Sequence, residues 1–453
     1  MTITLPKDVS RIIKTLTDAG YEAYAVGGCV RDSILGRAPA DWDITTSALP
    51  QDVKRLFRRT VDTGIQHGTV TVMFKMKGYE VTTYRIDGNY SDGRHPDSVT
   101  FASNLEEDLK RRDFTINAMA YNEGDGLVDI FGGVADLEGK IIRAVGKAEE
   151  RFNEDALRIM RAFRFAAQLG FEIDRDTRAA AEKLAENLNK VSAERIRIEL
   201  TKLAVSSHPE LLGDMYRAGI TRYFMPEFDT AMECPQNNIH HRFNVGEHSL
   251  EAMRSFTKTE ALNDKEFEYI RLALLLHDLG KCKCKTTDAD GVDHFHGHSR
   301  VSEEISRSIL KRLKYDNETL KTVSALVLYH DIKPEPEPAS VRRAMNKMGA
   351  DIFRLLFCVQ KADIMGQSDY QRQEKLDRLA RLHKVYEQVT EAGDPITVGD
   401  LAIKGNDLKE LGVAPGPLMG EILRKLLEQV LEDPSCNTKQ ALKEKIKELN
   451  LIE

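Results

Sequence analysis

Several features are missing from this sequence, and each absence removes a class of protein. No apolar run approaches the roughly 20 residues that a bilayer-spanning helix needs. The N-terminus carries no basic region followed by an apolar stretch and a cleavage site, so the cytoplasm is the expected compartment and no membrane partner is expected. Cysteine is sparse: Cys29, Cys234, Cys282, Cys284, Cys358 and Cys436 are scattered over 453 residues, which disfavours a disulfide framework. Only Cys282 and Cys284 are close, and they are flanked by lysines with no matching second pair, so all six are read as reduced thiols rather than zinc ligands. Excess positive charge is lacking too. A net charge of -7 argues against a protein that coats RNA by neutralising its phosphates, so any RNA contact must be local. Internal repeats and low-complexity tracts are absent.

What is present is a globular composition. With 41% apolar residues the chain can bury substantial cores, and its length suggests about three domains. Local basic clusters occur at Arg55, Arg58 and Arg59, at Lys110 to Arg112, and at Arg158, Arg161 and Arg164; for the first, a solvated helix face is an equally good explanation.

Up to about Val145, strand-like and helix-like segments alternate; beyond Ala148 helical periodicity takes over. Residues 22–26 predict a strand entering Gly27 and Gly28, followed by a helix over 30–35 that Gly36 ends. A second strand is predicted over 41–45. Residues 69–74 and 80–85 predict an antiparallel hairpin with Lys77 and Gly78 at its turn, and 87–98 a flexible loop. Residues 149–228 read as helical, Pro226 and Pro235 bracket a linker, a histidine-rich helical block runs to about Asp369, and a charged helical tail follows. The expected fold class is α+β: an N-terminal domain with a small mixed sheet over 1–147, then all-helical segments over 148–228, 236–370 and 371–453.

Chemistry enters with Gly27-Gly28-Cys29-Val30-Arg31-Asp32, followed closely by Asp41-Trp42-Asp43. Two glycines at a strand-to-helix junction let backbone approach a phosphate, the helix start offers free N–H groups, and Arg31 adds a cation. Asp41 and Asp43, two apart on a predicted strand, project to one face and can jointly hold Mg²⁺. Glu80 on the hairpin is the candidate third carboxylate. Such a clamp suits phosphoryl transfer, although either element alone also marks ordinary turns and caps.

In this order the residues resemble the class II CCA-adding enzyme and bacterial poly(A) polymerase family, within the polymerase β-like nucleotidyltransferases. Five blocks over about the first 200 residues carry the resemblance: Gly27 to Thr45, Arg111 to Ala118, Asp129 to Arg143, Glu154 to Arg158, and Ser192 to Leu200. The resemblance implies that Arg112, Asp113 and Asn117 contact the triphosphate and ribose of the incoming nucleotide, as their hydrogen-bonding groups allow. It also implies that Asp155 and Arg158 read the base edge in place of a template, with Arg161 and Arg195 as helpers. Spacing alone places Asp155 and Arg158 on one helix face, where an ordinary surface ion pair is the alternative.

CCA addition and polyadenylation share this core. The stretch Thr63-Gly64-Ile65-Gln66-His67-Gly68-Thr69-Val70-Thr71-Val72 is similar to that of CCA-adding members, and an intact 87–98 loop favours full over partial addition. The expected partners are therefore the tRNA acceptor end, CTP and ATP, with poly(A) polymerase as the near rival.

A second constellation follows. His277-Asp278 ends an apolar helix, with His248 upstream and His298, His330-Asp331 and Lys361-Ala362-Asp363 downstream. This resembles an HD-domain phosphohydrolase, which implies His248, His277, Asp278 and Asp363 as ligands of a divalent metal (Mn, Fe, Ni or Mg), with His298 and His330 for a second metal or a phosphate and Lys281 to neutralise it. His294 and His296 are expected to be polar core or surface residues rather than ligands. A rival from this direction is a phosphohydrolase whose N-terminal domain only binds RNA. Near the end, Pro415-Gly416-Pro417 predicts a helix start that can hold an RNA phosphate or simply pack. Oligomeric state is not legible.

Overall fold

The computed structural model describes residues 2–65, 68–87, 99–101 and 104–449. The chain divides into two compact units, Met1–Pro226 and Glu227–Glu453. Residues 66–67 and 88–98, which carry part of the CCA-favouring stretch and nearly all of the predicted loop, lie outside the described residues.

The first unit is built on nine short strands: β1 (Ala23–Val26), β2 (Asp43–Thr46), β3 (Thr60–Gly64), β4 (Thr69–Phe74), β5 (Lys77–Thr83), β6 (Arg85–Asp87), β7 (Val99–Phe101), β8 (Ala120–Asn122) and β9 (Gly126–Val128). Seven of them form one mixed sheet in the order β3-β4-β5-β2-β1-β8-β9, and β6 and β7 pair as a separate ribbon. The central strand β1 is buried at every position, as its all-apolar text requires. Helix Lys7–Asp18 places Val9, Ile12, Ile13 and Leu16 inward, the helical stripe that burial selects.

Two boundaries differ from expectation. The strand predicted over 41–45 begins at Asp43, leaving Asp41 just ahead of it. In the hairpin, Phe74 pairs with Lys77, so Lys75 and Met76 make the turn, with Lys75 at φ 53°, and Lys77 and Gly78 belong to β5. Gly78 is required by cross-strand contact rather than by turning: a Cβ there would stand 2.7 Å from Thr71 Cγ2.

After residue 148 the first unit is helical, apart from a two-residue pairing of Ile141–Ile142 with Glu172–Ile173. In the second unit, capping boxes at Asn244/Glu247 and Asn263/Glu266 start helices Val245–Ser255 and Asp264–Leu276. Further helices, His298–Arg312, Asn317–Tyr329, Pro338–Met348, Ala350–Gly366 and Arg372–Glu391, complete the body. Leu382 and Val389 of Arg372–Glu391 share one core with Val341, Phe353 and Phe357, so packing is continuous across residue 370. A separate core around Leu426, Val430 and Leu442 holds the tail, where Pro417 is the first residue of helix Pro417–Glu432. A two-residue ribbon, Thr286–Thr287 with Asp293–His294, interrupts the predicted all-helical region. No helix among the described residues is long and apolar enough to cross a membrane.

Candidate functional site

In the first unit, β1 runs into Gly27, whose φ of 83° is open to glycine at little cost. Helix Gly28–Ile34 starts there, and a Cβ on Gly27 would lie 2.9 Å from Arg112 Nη1, so the glycine admits a guanidinium over the turn. Parallel pairing of Ile44 with Val81 sets Asp43 and Glu80 at the same level on neighbouring strands. Solvent reaches Asp43, yet the protein packed around its carboxyl raises its pKa, Asp41 adding to this and Arg112 opposing it. Glu80 is raised by burial first and then by Asp43 and Asp41. The three acids thus share one electrostatic neighbourhood with more negative charge than Arg112 balances, although among the described residues they do not converge as tightly as the histidine cluster below.

Behind the turn runs a buried polar chain. Arg31 Nη1 donates to Asn117 Oδ1 at 2.7 Å, and Asn117 Nδ2 donates to Asp113 Oδ1 at 3.1 Å. Arg161 Nε and Nη2 donate to Asp113 Oδ2 at 2.8 and 2.5 Å. Burial would raise the Asp113 carboxyl, but Arg161 and Asn117 hold it well below the usual carboxylate range. Arg31, Asp113, Asn117 and Arg161, each picked from sequence as separate nucleotide contacts, therefore form one network.

Asp155 and Arg158 require a correction. They do not share a face of one helix: Ala148–Glu154 stops at Asp155, which has extended backbone (φ -144°, ψ 103°), and the next helix is Leu157–Leu169. The Asp155 carboxylate accepts from the Leu157 amide at 3.1 Å, which ends one helix and starts the next. Nor do the two side chains pair with each other. Asp155 is held by Arg195 at 2.7 and 3.1 Å, and Arg158 donates to Glu154 Oε2 at 2.6 Å and to the Arg111 carbonyl at 2.9 Å.

Two residues of this region escaped the sequence reading. Asp108 is fully buried and takes both Arg111 (2.6 Å) and Arg112 (3.4 Å); its spacing of three and four from them is the signal that finds it. Glu199, buried and paired with Arg164 at 2.8 Å, left no comparable mark.

In the second unit, the histidines come from separate helices and meet. Nδ1 of His277 lies 2.8 Å from the Leu274 carbonyl, Nδ1 of His298 lies 2.9 Å from Phe295 O, and Nδ1 of His330 lies 2.6 Å from Val327 O. A carbonyl only accepts, so each Nδ1 carries the hydrogen and each Nε2 presents a lone pair. The Nε2 atoms converge: His277 Nε2 is 3.3 Å from His248 Nε2, and His298 Nε2 is 3.1 Å from His330 Nε2. Asp363 Oδ1 lies 2.8 Å from His248 Nε2, and Asp278 Oδ2 lies 3.3 Å from His277 Nε2. Two sets, His248/His277/Asp363 and His277/Asp278/His330, bring their ligand atoms together.

Gathered imidazole nitrogens and buried carboxylates could hold a cation between them. Burial opposes charge on His277, but Asp278 and Asp363 push its pKa up to about 10, so the cluster is negative enough to draw either a proton or a metal cation to Nε2. Lys281 Nζ stands 2.7 Å from Asp278 Oδ2. His294 does what a surface histidine does, meeting Asp288 at 2.7 Å and stacking on His296. All six cysteines are free thiols. Sequence reading missed Gln367, whose amide donates to Asp363 Oδ2 at 3.0 Å, since one glutamine carries no motif.

A mixed sheet with acids beside a glycine turn, backed by an arginine-rich helical segment, defines the first unit as a nucleotidyltransferase. Family models agree: "Poly A polymerase head domain" matches residues 23–143, "Probable RNA and SrmB- binding site of polymerase A" 170–232, and "tRNA nucleotidyltransferase domain 2 putative" 295–446. The CCA-adding enzyme of Leuconostoc mesenteroides is 36% identical over 97% of this chain and 96% of its own, and that of Lactiplantibacillus plantarum 39% identical over 95% and 93%. The crystal structure of the Bacillus stearothermophilus CCA-adding enzyme in complex with CTP is similar at a TM-score of 0.75 and 31% identity, covering 99% of both chains. The chain belongs to the CCA-adding enzyme family.

Proposed function

We propose that this protein adds CCA to tRNA 3′ ends from CTP and ATP. The observation that carries the reading is the alignment of Asp43 with Glu80 on paired strands, together with Arg112 over the Gly27 turn, in a chain related end to end to CCA-adding enzymes. Residues 1–147 are read as the catalytic head, 148–228 as a neck, and the histidine-bearing domain begins at 236 and runs on into helix Arg372–Glu391, ahead of a tail that contacts tRNA.

Asp41, Asp43 and Glu80 are suited to Mg²⁺, because they are hard oxygen donors in one neighbourhood and the carboxyls of Asp43 and Glu80 are raised by burial and by the acids beside them. These carboxylates would hold a divalent cation, which would supply charge neutralisation for the triphosphate and acidify the attacking hydroxyl. Arg112, lying over Gly27, takes the phosphates; the Arg31-Asn117-Asp113-Arg161 chain holds the floor beneath ribose and base. Asp155 and Arg158 read the base. Arg195 and Glu154 orient them, and a carboxylate with four lone-pair directions and a guanidinium with five N–H groups keep capacity to spare.

The test is incorporation of CTP, ATP and both into a tRNA transcript ending before CCA. Two C and one A are expected, and long A tracts without C would reassign the chain to poly(A) synthesis.

The histidine cluster supports a second activity in the same chain, metal-dependent phosphoester hydrolysis. His248, His277, Asp278 and Asp363 would hold the cation, and the convergence of their imidazole and carboxylate ligand atoms is the fit. Lys281 neutralises the phosphate beside Asp278, and His298 with His330 accept hydrogen bonds at the reacting centre.

A further inference from the structure

The cavity at the histidine cluster holds two separate cationic poles. Its volume is about 580 Å³, and Asp278, Asp363, His298 and His330 line it together with Lys281, Lys333, Lys375 and Arg378. The first pole is Lys281, buried, held by Asp278 at 2.7 Å and by Gln236 Oε1 at 2.9 Å. The second belongs to helix Arg372–Glu391. Lys375 Nζ donates to Gln367 Oε1 at 2.7 Å, and the same Gln367 donates through Nε2 to Asp363 Oδ2 at 3.0 Å, so one amide spaces Lys375 from a candidate ligand. Among the described residues no ion pair is recorded for Lys375; its other contact is His240 at 3.4 Å. Burial and the neighbouring Lys333 and Arg372 pull its pKa below the usual lysine value, against the attraction of Asp363. Arg378 meets Glu335 only at 3.3 Å and otherwise donates to the Lys333 and Pro334 carbonyls. Leu379 and Leu382 supply an apolar wall on the same helix.

One phosphate at the histidines is answered by Lys281. A second pole in the same cavity, where Lys375 meets an amide in place of a carboxylate, calls for a second anion on the same molecule, and the apolar wall suits a ring. We infer that the substrate is a ribonucleotide phosphomonoester carrying a second phosphate, with the scissile group at the histidines and the other held by Lys375 and Arg378. This rests on the phosphohydrolase reading. Water adds to the scissile phosphorus, the P–O bond to the ribose breaks, the alkoxide takes a proton, and the products are inorganic phosphate and a nucleotide that keeps its second phosphate. A free nucleoside bisphosphate and a 3′-phosphorylated RNA end present the same chemistry.

The test is equilibrium binding of adenosine 3′,5′-bisphosphate, adenosine 3′-monophosphate and a short 3′-phosphorylated RNA to the full chain without added metal, for wild type, Lys375→Ala and Arg378→Ala. Nucleotide held at the amino-terminal site is common to all three proteins and cancels in the comparison. The bisphosphate is expected to bind about tenfold tighter than the monophosphate, the worth of one charge-assisted contact, and both variants are expected to erase that ratio. If the RNA shows the variant-sensitive preference and the bisphosphate does not, the proposal holds with an RNA end as the source. Equal binding of all ligands to wild type, or a ratio that survives both variants, overturns it. Cleavage of p-nitrophenyl phosphate by the manganese-loaded chain tests the hydrolase reading separately. Cleavage without a bisphosphate preference sinks only this inference; a preference without cleavage sinks the hydrolase reading and, with it, the scissile role given to the first phosphate.

Discussion

The two units assemble charge in opposite ways. In Met1–Pro226 the acids are partly open to solvent and gathered by strand pairing, with Asp43 raised by burial and by Asp41, and Glu80 by burial, Asp43 and Asp41. In Glu227–Glu453 the candidate ligands are almost wholly buried, and backbone carbonyls fix the tautomer of His277, His298 and His330. An open carboxylate edge suits a site that must admit a nucleotide and an RNA end and release both products, because weakly held magnesium and substrate can come and go. A closed imidazole cluster suits a resident metal, because its ligands are oriented before the ion arrives.

The largest expected effect separates the two units. Asp43→Ala should lower CTP and ATP incorporation by roughly 10³-fold or more, since metal stabilisation of the transition state is worth several kcal/mol. His277→Ala should leave incorporation near wild type, and a comparable loss in both variants would break the comparison.

Next comes Asp113→Asn, which leaves Arg161 facing a neutral partner. Breaking a buried pair costs about 3–5 kcal/mol, and the low end applies because Arg161 is one-third exposed, 33% by side chain. Urea unfolding read on the first unit should show the loss. The sign with pH follows from the depressed Asp113 pKa: its contribution is fully present above the unfolded value of about 3.9 and disappears as pH falls through the lower folded value. The variant should therefore lose less stability than wild type on acidification below about pH 4.

His277→Ala should weaken Mn²⁺ binding by roughly 100-fold in calorimetry, at least the effect of losing an outer-shell partner. Unchanged affinity would place the cation elsewhere. The smallest effect is expected for Arg195→Ala, which releases Asp155 from its 2.7 Å partner. Misincorporation of UTP or GTP should rise about tenfold, the lower range for one lost base-discriminating contact, with little change in melting temperature.

Much of this was readable in the chain. The glycine turn, the helix after it and the β4–β5 hairpin follow from residue type and period-two alternation. Periodicity failed at Asp155, where two helices abut without the glycine or proline that usually marks a break; the carboxylate makes the break by capping the second helix. It failed again at residue 370, where a predicted tail boundary falls inside one continuous core.

By itself, the sequence determined which groups are available: the acids at 41, 43 and 80, the adjacent His277-Asp278, and enough apolar text to bury them. Only the tertiary structure decided which of them meet. His248 and Asp363 are 115 residues apart yet 2.8 Å from each other, and Lys375 reaches Asp363 through Gln367. Such meetings depend on how packed helices cross, a property of whole faces and their complementary shapes, to which no local motif refers.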